Sequence, residues 1–276
     1  MKNNKQYPEY KEEFDSFFKE LKENNLFESV PNHIFMMHKP IVGANYFESK
    51  NKIMFVGQDS DKINNFTSDS LRNIEKENAI RNYYDWKETF DFTADDNFLN
   101  WYYKNRYKFW EFPLRYLNIA NGKGNVVLKK DEIMKDESIQ KLYQSFGWAN
   151  LSPIVFPHIY EKKNQEKIDQ NTFSKIFNIA QKNFGNINFI NKYFEPATII
   201  VLSKHFNEKI FLANASFTKE IIDIKNNIAK YVVDINGKPV NVVATYHPSG
   251  MARLYNNDKE RLSLAQFVDV IYEHLK

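Results

Sequence analysis

The chain of 276 residues contains no cysteine. That absence excludes a disulfide framework, thiolate zinc sites, cysteine-held iron–sulfur clusters and a cysteine nucleophile. Glycine and proline are sparse, at 8 and 9 residues, which argues against a fibrous or low-complexity chain. No apolar run approaches the roughly 18 residues of a membrane helix, so no membrane association is expected. The opening MKNNKQYPEYKEEF has no apolar segment after its lysines. No secretory signal is predicted, and a soluble, cytoplasmic protein is expected. An excess of charge is also lacking: 38 Lys and Arg against 35 Asp and Glu leave +3. That is too small to imply histone-like binding, though it permits a local basic patch.

What is present is apolar and aromatic. Hydrophobic residues make up 42% of the chain and aromatics 16%, enough for a large core. The length exceeds one typical domain and falls short of two, which suits a single enlarged α/β domain over residues 1–276. Residues 8–26 carry Phe14, Phe17, Phe18 and Leu21 at helical spacing, before Val30 and Pro31 end the pattern. Residues 1–50 are read as an N-terminal helical extension.

Four short apolar runs read as buried strands: Lys52–Val56, Trp148–Phe156 (interrupted by Pro153), Ala197–Leu202 and Val240–Thr245. Helical patterns lie between and after them. One is Thr172–Phe184, with Phe173, Ile176, Phe177 and Ala180 on one face. Another runs from Asp258 to the end, with Leu264, Phe267, Val268, Ile271 and Leu275. This alternation predicts an α/β fold, with a central, mainly parallel four-stranded sheet and helices on both faces. Residues 62–146 are read as a helical, aromatic-rich insertion in which Tyr83, Tyr84, Trp86, Phe90 and Trp101 mingle with Arg106 and Lys108. That mixture suits stacking on bases and contact with phosphates.

In open α/β sheets the working site lies beyond the carboxyl ends of the strands. There the sequence places Gly57-Gln58-Asp59-Ser60-Asp61, then Asn150, then His247-Pro248-Ser249-Gly250-Met251-Ala252-Arg253. No metal-ligand spacing, phosphate loop or hydrolase elbow accompanies them, so neither a metal nor another cofactor is expected. An isolated aspartate after a strand more often caps the next helix, and a lone histidine is more often structural. Asn150 and Arg253 are evenly balanced between structural and functional readings, and most aromatics of 62–146 read better as core.

GQD after a buried strand and HPSGMAR at a later one resemble the two motifs of the uracil-DNA glycosylase superfamily. The features are mixed. GQD is similar to the uracil branch and the Met-Ala-Arg ending to the thymine branch. Asn150 in WANLSPIVF is similar to the single-strand-selective branch. Asn105 to Trp110 loosely resembles a helix start of the mismatch-specific branch. The resemblance spans about Lys52 to Arg253 and the closing helix. It implies a DNA partner and a monofunctional glycosylase that hydrolyses the N-glycosidic bond of a flipped pyrimidine. Asp59 would stabilise the cationic sugar and place the water, and His247 would hydrogen-bond the oxygen of the departing base. Gln58 and Asn150 would contact the base, Asn150 reading a pyrimidine edge. Trp101 or Tyr102 would stack on it. Ser249 would grip a phosphate, and Arg253 or Met251 would fill the gap in the duplex.

One departure from the family is informative. Ser60 and Asp61 stand where the uracil branch has Pro-Tyr, and that tyrosine excludes substituents at carbon 5. A pocket open to 5-modified pyrimidines is therefore expected, for repair or for defence against modified foreign DNA. Two other readings compete: a non-catalytic nucleic-acid-binding module of the same fold, and a nucleoside or nucleotide hydrolase.

Overall fold

The computed structural model describes residues 11–26, 36–37, 40–43, 45–57, 108–152, 154–155, 169–213 and 215–276. Residues 62–107 of the expected insertion lie outside them, as do Gln58, Asp59, Ser60 and Asp61.

The fold is α/β, and four parallel strands form its centre. These are β3 (Ile53–Gly57), β4 (Phe146–Asn150), β6 (Thr198–Leu202) and β9 (Lys238–Thr245). They lie in the order β4-β3-β6-β9 and pair in parallel throughout. Their side chains alternate between two cores, as strands buried on both faces require. Met54, Val56, Ile199, Val201 and Val242 face one core; Ile53, Phe55, Ile200, Leu202 and Val243 face the other.

Among the described residues the sheet is wider than the sequence suggested, with seven strands rather than four. Beyond β9, strands β8 (Ile228–Ile235) and β7 (Ser216–Asp223) add an antiparallel ribbon. The β8–β9 turn is Asn236-Gly237, both at positive φ (55° and 79°), the geometry of a tight hairpin that follows the sheet's twist. On the far side the short β2 (Ile41–Val42) pairs antiparallel with β4. The segment 1–50 is thus more than a helical extension, since it contributes an edge strand. The expected strand over 148–156 is also split. β4 stops at Asn150, and β5 (Ile154–Val155) pairs with β1 (Met36–Met37) in a separate two-stranded sheet.

The first helical layer holds α1 (Lys11–Glu23), then α5 (Gln170–Asn183) and α6 (Ile187–Phe194). Helix α1 ends well before Pro31, because Asn25 turns left-handed at φ 55°. The Leu26 amide then reaches the Leu21 carbonyl at 2.9 Å and the Asn25 amide reaches that of Lys22 at 3.0 Å. This double closure seals a helix end and brings the two buried leucines together.

The second layer holds α2 (Lys108–Ala120), α3 (Lys130–Lys135) and α4 (Glu137–Tyr143). It is completed by α8 (Pro248–Asn257) and α9 (Leu264–Leu275); a one-turn α7 (Glu208–Phe211) follows β6. Trp110, Phe112, Leu114, Tyr116 and Leu117 of α2 are buried against Phe55, Phe146, Phe267 and Ile271. The part of 62–146 from Lys108 onward is therefore a layer of the core. An insertion reaching to 146 overstates its length. No described helix is long and apolar enough to cross a membrane.

Candidate active site at the carboxyl ends of the strands

Asn150 ends β4 and Gly57 ends β3, and the two are register partners. The Leu151 amide donates to the Gly57 carbonyl at 2.9 Å, which locks the strand ends together. Trp148 leaves β4 on the same face as Asn150, because side chains two apart share a face. Its indole N–H donates to Asn150 Oδ1 at 3.1 Å. Gly57 must be a glycine for this to fit: a Cβ there would stand 2.8 Å from Asn150 Oδ1 and 3.3 Å from Trp148 Nε1.

Phe109, in the first turn of α2, lies against this pair. Its ring is 5.3 Å from that of Trp148, tilted by 35°, and 5.4 Å from that of His247, tilted by 30°. It thus bridges β4 and the segment after β9. Trp110 meets Trp148 edge-on, at 4.5 Å and 90°, and holds the indole from behind. Phe109 was no named candidate in the sequence. Its only signal is the Asn105–Trp110 run, and Trp101 and Tyr102, expected to supply the stacking ring, lie outside the described residues.

His247 follows β9 and caps α8. Its Nδ1 accepts the Ser249 backbone N–H at 3.2 Å and lies 2.7 Å from the Ser249 hydroxyl. A backbone amide can only donate, so Nδ1 is an acceptor, and the neutral ring carries its proton on Nε2. Pro248 at the first helical position is preset for the turn and has no N–H to leave unsatisfied. The β9 residue before this corner, Thr245, is 1% exposed, and its hydroxyl has no hydrogen-bond partner.

The remaining α8 candidates divide. Arg253 is exposed, as a DNA-contacting residue must be. Met251 is fully buried among Phe267, Val268 and Ile271, so it cannot fill a gap in a duplex. Helical spacing turns it inward, two residues from an outward Arg253. Of the sequence candidates, Asn150, His247 and Ser249 are brought to one edge. Asp59 follows Gly57 by two residues.

Other features lie elsewhere. His205, after β6, is near Phe177 in the first layer, with ring centroids 6.0 Å apart, and burial lowers its pKa from the ordinary value. A groove of about 730 Å³ runs over α1, α5 and α6, with Lys182 and Lys192 on its walls. Those cations already pair with Glu20, Glu12 and Glu13, and the groove shares no residue with the strand-end cluster. Among the described residues no three His, Asp or Glu side chains gather as a metal site would need. No protein-family model matches the chain, and no curated protein matches it either.

Proposed function

We propose that the protein is a monofunctional DNA glycosylase. It hydrolyses the N-glycosidic bond of a flipped pyrimidine, uracil or more readily a 5-modified base, and leaves an abasic site. The observation that carries this reading is the state of His247. Its Nδ1 accepts the Ser249 N–H at the start of α8, so the neutral ring carries its proton on Nε2. A donor at a strand end, beside a stacked phenylalanine and a hydrogen-bonding amide, suits a flat ring whose oxygen gains charge as the bond breaks.

The chemistry then assigns roles. Asn150 reads the pyrimidine edge and Phe109 covers one face of the base. His247 stabilises the departing base as an anion on its oxygen. Asp59 supports the oxocarbenium-like sugar and orients water, whose oxygen bonds to carbon 1′ as the bond to the base nitrogen breaks. The Ser249 hydroxyl, turned from His247 Nδ1, receives a phosphate, and Arg253 contacts the duplex.

The test is direct. Single- and double-stranded oligonucleotides carrying uracil, mismatched thymine or 5-modified pyrimidines are incubated with the protein and treated with alkali. Strand cleavage that disappears in Asp59→Asn supports the glycosylase. Binding without cleavage across all oligonucleotides points to a non-catalytic module, and release of bases from free nucleosides alone points to a nucleoside hydrolase.

A further inference from the structure

Among the described residues β7 is the last strand of the sheet, and no strand pairs with its outer side. Such an edge offers a row of N–H and C=O groups to another strand. Which residues offer them follows from Pro239. It stands opposite Asp234 and, having no N–H, cannot exchange the two bonds of a hydrogen-bonded pair. Asp234 therefore turns its backbone the other way, toward its β7 partner Ser216. By alternation Ser216, Thr218 and Glu220 bond to β8, while Phe217, Lys219 and Ile221 point their N–H and C=O out of the sheet. The edge is eight residues long and free of proline, with Phe217 40% exposed and Ile221 51%. Two devices that commonly blunt an edge are a lysine and a bulge. Here Lys219 is drawn inward, paired with Glu208 and 5.4 Å from the centre of the Tyr231 ring. The bulge falls between Ile221 and Asp223, beyond the regular stretch.

We propose that β7 is the docking edge for a second copy of this chain, joined antiparallel about a two-fold axis normal to the sheet. Opposed residues must share a face, so such an axis can centre only on a residue facing its own copy. Two registers then compete. With Glu220 facing its copy, two carboxylates meet and Ile221 stands against the partner's Lys219. With Lys219 facing its copy, Phe217 stands against the partner's Ile221, and Ile221 against the partner's Phe217. The second register covers both exposed apolar side chains, and does so twice. Its one like-charge meeting is relieved, because each Lys219 is already paired with its own Glu208. Assembly stops at two copies. The opposite edge of the sheet is β2, whose two residues are too short to continue it. The two strand-end sites open on opposite edges of one continuous sheet. Pairing of this kind does not depend on the glycosylase reading.

The experiment is sedimentation equilibrium of the full chain over rising concentration, which should show a monomer passing to a dimer and no further. Ile221→Glu should raise the dissociation constant roughly tenfold, since the change falls in two cross-strand pairs of each dimer. Its melting temperature at low concentration should stay put, because the side chain is already half in solvent. The lack of cysteine makes the register readable. In Lys219→Cys the two introduced thiols face each other, with Cα atoms about 5.5 Å apart, a distance a disulfide accepts. Mild oxidation should give a covalent dimer there, and far less in Glu220→Cys, which faces the partner's Thr218. A monomer at every concentration, or a dimer indifferent to Ile221→Glu, overturns the proposal. Faster cross-linking through Glu220→Cys than through Lys219→Cys overturns the register. A chain that stays monomeric yet takes up an unrelated extended peptide along β7 assigns the edge to a different partner, and self-pairing fails.

Discussion

The ring of His247 accepts the backbone N–H of Ser249, two residues on, and so serves as the cap of α8. Capping and catalysis can be separated by substitution. Asparagine is a strong cap without an imidazole, so His247→Asn should fold with near-normal stability. It should lose about 10²- to 10³-fold in kcat, the scale seen when one donor to a developing anion is removed. His247→Ala should lose the same activity and, in addition, about 1 kcal/mol of stability. Thermal melts read beside single-turnover rates decide it; full activity in His247→Asn would dismiss the imidazole from the chemistry.

Gly57 tests the strand-end lock. Its replacement by alanine places a methyl group 2.8 Å from Asn150 Oδ1. We expect a loss of about 1–3 kcal/mol from overpacking, together with a shifted Trp148 indole resonance. A Gly57→Ala protein with unaltered stability and spectrum would show that the close approach does not hold in solution.

Met251 and Arg253, two residues apart on α8, should behave oppositely. Met251→Ala empties a buried site and should cost about 2–5 kcal/mol while DNA affinity holds. Arg253→Ala removes an exposed cation. It should leave the melting temperature alone, weaken DNA binding across sequences and lower the salt dependence by about one counterion. Equal affinity losses in the two variants would contradict the inward and outward assignments.

Acid should loosen the β7–β8 ribbon at Glu208. Its carboxylate pairs with Lys219 and accepts from the Tyr231 hydroxyl at 2.9 Å. The Lys219 hydrogen bond, foremost, holds its pKa below the ordinary 4.5, against partial burial that raises it. A depressed folded value stabilises fully above the unfolded value and is lost as pH falls through the folded one. Stability should therefore drop below about pH 4.5, and less so in Glu208→Gln. Melts from neutral pH into the acid range would show parallel curves for the two proteins if the pair is inert.

β3, β6 and β9 were legible because each carries a short apolar run, which burial on both faces accounts for; β4 was found only in part, because its run was read on to Phe156 across Pro153. β7 was not, since Ser216 to Ile221 are exposed and carry no apolar alternation to read. The Asn236-Gly237 turn was not read as a hairpin, because its signal is local and lies outside the apolar runs. For the candidate site, Asn150 and His247 stood out because one ends a strand and the other lies two residues beyond one. Phe109 could not, because its contacts are with Trp148 and His247, 39 and 138 positions away along the chain. Nor does WAN alone disclose that Trp148 donates to Asn150. That depends on Gly57, on a different strand. Met251 was misread because one turn of helix holds both a buried and an exposed position.

Strand β6 separates β3 from β9, and none of its side chains belongs to the gathered set. It acts as a gauge block. Two interstrand spacings of about 4.8 Å set the ends of β3 and β9 roughly 10 Å apart. Adjacent strands would leave half that gap between the Gly57 corner and the His247 corner, too narrow for a ring and its sugar to lie across. Under the glycosylase reading, the width open to a base and its sugar is thus set by a strand that supplies none of the gathered side chains.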